Sequence, residues 1–91
     1  MATVKFTYAL KRFFPDLKEE ETITAATVKE LLAQLETNYP GLTSYVVDER
    51  GQLRKHVNIY VNNAHIKDEK ALSDPLTDQC EVYIMQALSG G

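Results

Sequence analysis

Thr27-Val28-Lys29-Glu30-Leu31-Leu32-Ala33-Gln34-Leu35-Glu36-Thr37-Asn38-Tyr39-Pro40-Gly41 carries a complete start, face and stop for one helix. Thr27 to Glu30 fits a capping box, in which the threonine hydroxyl accepts from the Glu30 amide and the Glu30 carboxylate reaches back to the Thr27 amide. Val28, Leu31, Leu32, Leu35 and Tyr39 recur at helical spacing, while Lys29, Glu30, Gln34, Glu36 and Asn38 fall mostly elsewhere, so one face is apolar. Pro40 biases Tyr39 out of the helical region and Gly41 tolerates the turn that follows.

That apolar face needs a partner layer, and the flanking sequence supplies strands. Upstream, Val4, Phe6 and Tyr8 alternate with Thr3, Lys5 and Thr7, the period of a strand with one buried face. Leu10 to Asp16 breaks the alternation, Pro15-Asp16 is a turn signal, and Leu17 to Ile23 returns as the second strand of a hairpin. Glu19, Glu20 and Glu21 mark that strand as a solvated edge. Downstream, Leu42 to Val47 reads as an irregular packing segment or a single turn, and Asp48-Glu49-Arg50-Gly51 as a turn. The clearest strand is His56 to Val61; Asn62-Asn63 follows as a turn able to adopt positive φ, and Ala64-His65-Ile66 as a short return. Leu72 to Asp78, with Pro75, is a loop. Glu81 to Ala87 is the last strand, with Val82 and Ile84 on one face and Tyr83, Met85 and Ala87 on the other.

Hairpin, helix, then more strands is an α+β order, and a β-grasp (ubiquitin-like) arrangement satisfies it: a mixed sheet of four to five strands packed on one main helix. The hairpin and helix together form the crossover that a parallel pair of first and last strands requires at the sheet centre. The expected domain spans residues 1–87, with 88–91 as a flexible tail.

A chain of 91 residues suits one core and leaves little room for an enclosed active site. With a net charge of -3 and ten basic residues dispersed along the chain, there is no footprint for nucleic acid. No apolar run approaches membrane-spanning length, and the N-terminal residues lack a secretory pattern, so a cytoplasmic location is expected. Cys80 reads as a structural thiol in a reducing compartment. His56 and His65 have no Cys or carboxylate at metal-ligand spacing and read as surface imidazoles, with no metal site expected. Neither a glycine-rich phosphate loop nor a nucleophile elbow is present, so the chain is not expected to be an enzyme by itself.

The Gly90-Gly91 pair admits a bland reading, a frayed end, and a chemical one. In the latter, a partner enzyme draws the last carboxylate through a narrow channel that any Cβ would obstruct. A carboxylate with a reference pKa of about 3.5 is a poor acyl donor until a good leaving group replaces one oxygen, and ATP-dependent formation of an acyl adenylate supplies one.

The sequence resembles the MoaD/ThiS-like sulfur carriers, small β-grasp proteins ending in Gly-Gly. The resemblance rests on Val4-Lys5-Phe6 with Ala9-Leu10-Lys11-Arg12, Thr27-Val28-Lys29-Glu30-Leu31-Leu32, Tyr39-Pro40-Gly41-Leu42, the run from His56 to Asn63, and Glu81-Val82-Tyr83-Ile84 before the tail. Leu53-Arg54 ahead of the Val57 to Asn62 run looks closest to the branch that serves cysteine biosynthesis. The resemblance implies adenylation of Gly91 by an E1-like adenylyltransferase/sulfurtransferase that uses ATP and a sulfur donor, with no cofactor bound to the carrier itself. Sulfide then replaces AMP, and the Gly91 thiocarboxylate gives its sulfur to an acceptor synthase. That synthase is of the molybdopterin synthase large-subunit, cysteine synthase or thiazole synthase type; in the first case the chain is the small subunit of the complex. Two departures stand out: Asp78-Gln79-Cys80 where relatives often have Asp-Gly-Asp, and Gln86 where they often have proline.

If Val57, Ile59, Val61, Val82 and Ile84 face the helix, Tyr60, Tyr83 and Met85 must lie on the opposite face as an apolar patch suited to docking. The expected site is therefore Gly91 as the reacting terminus, Gly90, Ser89 and Leu88 as the threaded arm, and Met85, Tyr83 and Tyr60 as the docking surface. A ubiquitin-like modifier joined to lysines would use the same tail, and a non-reactive β-grasp interaction domain would not use it at all.

Overall fold

The computed structural model describes residues 1–86; Ala87 and the segment 88–91, to which the tail was assigned, lie outside the described residues. The main helix, Val28–Asn38, starts at Thr27, whose Oγ1 accepts from the Glu30 amide at 3.2 Å. The Glu30 carboxylate accepts from the Ala26 amide at 3.3 Å instead of the Thr27 amide, one residue off the capping-box expectation. At the far end Tyr39 is the C-cap and its amide closes on the Leu35 carbonyl. Val28, Leu31, Leu32 and Leu35 are the buried face, as their spacing requires, and Tyr39 is half-buried beside them.

In chain order the elements are β1 (Ala2–Phe6), α1 (Tyr8–Phe13), β2 (Glu20–Ile23), α2 (Val28–Asn38), α3 (Thr43–Val46), β3 (Val57–Val61), β4 (Ala64–His65) and β5 (Glu81–Gln86). The strands form one sheet in the order β2-β1-β5-β3-β4, with β1 and β5 parallel at its centre. The other pairings are antiparallel. Val4, Phe6, Val57, Ile59, Val82 and Ile84 are buried on the helix side, joining the apolar face of α2 in one core. Each such side chain, fully buried, contributes about 1.5–3 kcal/mol, which is what sets the register.

The first two strands pair antiparallel, as expected of a hairpin, but the connection between them and the start of the second differ from expectation. The chain leaves β1 after Phe6 and makes the short helix α1, so Tyr8 is helical and does not extend the strand. Leu10, fully buried, anchors this turn, and the Phe14 amide closes it on the Leu10 carbonyl at 3.1 Å. Lys11 and Arg12 occupy its last turn, where cations complement the helix dipole. β2 then begins at Glu20; Leu17 is buried but lies ahead of the strand. The expected edge is observed, with Glu20 exposed beside Lys5 and Glu21 accepting from the Tyr39 hydroxyl.

Asn62 and Asn63 have φ of +50° and +71°, the two-residue turn that joins β3 to β4. Gln79 also has positive φ, +65°, the left-handed region that favours glycine. Its amide donates to the Met1 carbonyl at 2.8 Å, so the turn keeps a glycine-like shape without glycine. An L-residue held there is destabilised by about 1–2 kcal/mol. Gln79→Gly is therefore expected to raise stability by roughly 0.5–1 kcal/mol after the added chain entropy is subtracted, seen as a higher urea midpoint at unchanged slope.

The loop between β4 and β5 is organised by carboxylates. Asp68 accepts from the amides of Lys70, Ala71 and Ser73 at 3.1, 3.0 and 3.2 Å, and from the Ser73 hydroxyl. The Ser73 hydroxyl foremost, then these amides, hold the Asp68 carboxyl down from 3.8 to about 2. A depressed folded-state value means that the stabilisation is present above the ordinary carboxylate range and is lost as pH falls through about 2. The urea midpoint of the wild type should exceed that of Asp68→Asn at about pH 5, and the gap should close towards pH 2. An equal gap at both pH values would contradict this assignment.

Candidate functional site

β5 is the element that carries the chain towards its last residues, and both of its neighbours grip it. β1 lies along it in parallel, and β3 pairs with it from Val57 opposite Gln86 to Val61 opposite Val82. Past the end of β1, the Thr7 amide donates to the Ile84 carbonyl at 3.2 Å and the Thr7 Oγ1 accepts from the Gln86 amide at 3.2 Å. Thr7 is thus an exit clamp that holds the last described residue of the strand. A proline at position 86 has no N–H to give it, so the glutamine anchors the exit through a hydrogen bond where a proline would stiffen it through its ring.

The expected docking residues come together. Period two places Tyr83 and Met85 on the face away from α2, 39% and 40% exposed, enough for a partner to gain apolar area by covering them. Tyr60 stands directly opposite Tyr83, and Met85 opposite Asn58. Tyr60, Asn63, Tyr83 and Met85 line a shallow depression of about 270 Å³. Its rim is polar on both sides. Lys5, the Cα partner of Tyr83 on β1, bridges Glu81 at 3.1 Å and Glu20 at 3.7 Å. The hydrogen bond and field of Glu81, then Glu20, push the Lys5 ammonium above its usual pKa. On the other side His65 meets Tyr60 edge-to-face at 5.5 Å, with its Nε2 3.2 Å from Asn58 Oδ1 and 3.5 Å from Glu69 Oε2.

Leu88, Ser89, Gly90 and Gly91 lie outside the described residues. The groups around the exit are described: Asp48, Gln52, Leu53, Arg54, Lys55 and His56 line a cleft of about 460 Å³ that ends on Gln86. His56 is exposed there, as expected for a surface imidazole, whereas His65 is tied into the sheet face. Cys80 is buried in the core, and its carbonyl accepts from the Thr3 amide at 2.9 Å.

Sequence reasoning missed Thr7 and the Arg54 to His56 segment as parts of the exit. Thr7 reads only as the polar alternate of a strand, and its contact with Gln86 spans 79 residues. No local signal carries such a pairing.

A mixed five-stranded sheet in the order β2-β1-β5-β3-β4, with its first and last strands parallel and one main helix packed on it, defines the class of ubiquitin-like proteins. Within that class, the family model described as "ThiS family" matches residues 4–91, and the chain belongs to that family. The sulfur carrier protein CysO of Mycobacterium tuberculosis is 30% identical over 81 residues, covering 85% of this chain and 87% of that protein. Its crystal structure superposes with a TM-score of 0.83 at 26% identity, over 97% of this chain and 100% of that one. A chain of the BexX/CysO complex from Amycolatopsis orientalis matches with a TM-score of 0.85 at 24% identity, over the full length of both chains. SAMP1 from Haloferax volcanii matches with a TM-score of 0.80 at 22% identity, over 99% of this chain and 98% of that one. The last two, at their low identity, report the fold.

Proposed function

We propose that this protein is a sulfur carrier whose Gly91 carboxylate is adenylated and converted to a thiocarboxylate. The observation that carries this reading is the ThiS family match, which runs through residue 91 and takes in both glycines. The 30% identity to a protein named as a sulfur carrier supports it. An E1-like enzyme transfers AMP from ATP to the Gly91 carboxylate with release of pyrophosphate. A sulfur donor, delivering at the oxidation level of sulfide, then displaces AMP. The thiocarboxylate sulfur is a stronger nucleophile than a carboxylate oxygen and attacks an activated carbon of the acceptor, whose leaving group departs as a thioester to Gly91 forms. Hydrolysis afterwards frees the carrier.

In this scheme the chain contributes no general acid or base. It is a co-substrate in the cytoplasm, β5 presents the arm from Leu88 to Gly91, and Tyr60, Tyr83 and Met85 dock the enzymes. The likeness to CysO favours an acceptor of the cysteine synthase type, with an activated serine derivative as the electrophile. Among the described residues no helix is long and apolar enough to cross a membrane, which is compatible with that location.

The test is intact mass after incubation with the cognate activating enzyme, ATP and sulfide. The expected gain equals the exchange of one oxygen for sulfur. No gain with a demonstrably active enzyme rejects the proposal, and adducts of protein mass would report conjugation instead.

A further inference from the structure

On the side of the molecule built by α2, Lys29, Leu32 and Ala33 face Thr43 and Val47 near α3, the Arg50-Gly51 turn, and the loop from Lys70 to Leu72 across a cleft of about 420 Å³. Its floor is apolar: Leu32 and Leu72 are buried and Val47 is half-buried. Its rim carries Lys29, Arg50 and Lys70, all exposed, and no carboxylate lines it. Among the described residues none of these three cations has an ion-pair partner. In a chain of net charge -3, the lining itself thus offers three cations and no carboxylate, with the Asp48 carboxylate lying behind the Arg50 turn and feeling its charge.

The walls are held in place without a ligand. Asp48 directs its carboxylate at the Arg50 and Gln52 amides, at 2.8 and 3.0 Å, and Asp68 holds the Lys70 turn through the Lys70 amide at 3.1 Å. The Leu53 amide ties the two turns together through the Glu69 carbonyl at 2.8 Å, and the Lys29 amide binds the Leu72 carbonyl at 2.9 Å. A surface fixed in this way loses little freedom on binding.

We propose that this cleft docks an acidic segment of a partner protein, with an apolar side chain seated over Leu32, Val47 and Leu72 and flanking carboxylates paired with Lys29, Arg50 and Lys70. Charge complementarity names the sign of the occupant. Openness names its kind: pockets for free small molecules enclose about 70–90% of the ligand. Here Ala33, Gly51 and Ala71 are exposed walls, so a free molecule would stay largely in water, whereas a tethered segment has its outer side covered by its own protein. The cleft shares no lining residue with the Tyr60-Tyr83-Met85 depression or with the cleft beside Gln86. A partner held here, on the α2 side, leaves the Tyr60-Tyr83-Met85 face of the sheet free, so the protein can be retained by one molecule while another docks on that face. The inference does not rest on the chemistry at Gly91.

The test titrates the ¹⁵N-labelled full chain with the peptide acetyl-Glu-Asp-Leu-Glu-Asp-amide. Saturable shifts are expected at Ala33, Val47, Gly51 and Ala71, weakening with added salt. Replacing the peptide leucine by alanine should weaken binding about fivefold, and the variant K29E/R50E/K70E should weaken it about tenfold or more. The charge-neutral K29Q/K70Q variant gives the same direction should the triple variant misfold. Absence of saturable shifts, shifts centred on Arg54 to His56 or on Tyr83 and Met85, or equal binding of a lysine-for-acid peptide would each overturn the proposal. So would tighter occupation of the cleft by octanoate, which would identify a small amphiphilic anion. Sedimentation showing a dimer that K29E/R50E/K70E dissolves would identify a second copy and overturn it equally.

Discussion

Deletion of Gly91 is expected to abolish the sulfur-for-oxygen mass gain while leaving the folded protein intact. The truncated chain still ends in a glycine carboxylate with the same intrinsic reactivity, so any loss must come from position. One residue of extended chain is about 3.3–3.6 Å. A displacement of only about 1 Å from the productive geometry can cost a hundredfold in rate. The β5 exit cannot compensate by slipping, because the Thr7 clamp on Gln86 and the pairing with β1 and β3 fix where the arm begins. All of the described core residues remain in the truncated chain, so the urea midpoint should not move. Mass gain persisting in the truncated chain would show that the reactive carboxylate is not at position 91 and would remove the proposed mechanism.

The double substitution Tyr60→Ala with Met85→Ala is expected to weaken binding to the activating enzyme by about a hundredfold, in keeping with the truncation of two central apolar side chains in one interface. These side chains, with Tyr83, form the apolar centre of the depression, and the Lys5-Glu20-Glu81 cluster gives it a polar rim. An apolar centre inside a polar rim is the usual anatomy of an interface. Because both residues lie on the solvent side of the sheet, stability should change little, and circular dichroism with urea unfolding checks that. Calorimetric titration reads the affinity. An unchanged dissociation constant would remove the docking surface from the proposal without touching Gly91.

The parts of the fold that were legible in the sequence are those whose burial repeats along a single element. Val28, Leu31, Leu32 and Leu35 each make the same choice of face, and so do Val57 with Ile59 and Val82 with Ile84; repetition makes the pattern visible above noise. α1 has one buried anchor, Leu10, among its residues with described side chains, too little for a period to show, and the segment read as part of a hairpin. Gln79 and Leu72 are other instances. Their side chains argue against a left-handed backbone, yet φ is +65° and +56°, because the turn at Gln79 must reach the Met1 carbonyl and Leu72 must point its side chain into the core while its carbonyl caps α2.

The same division holds for function. Alternation along β3 and β5 was enough to put Tyr60, Tyr83 and Met85 on one face, since that is a property of a few neighbouring residues. Tertiary structure alone decided that Thr7 grips the exit at Gln86, and that Lys29, Arg50 and Lys70 surround one apolar floor. Those pairings join segments far apart in the chain, and their distances depend on how α2, the turns and the sheet pack together, for which no periodicity in the local sequence is a record.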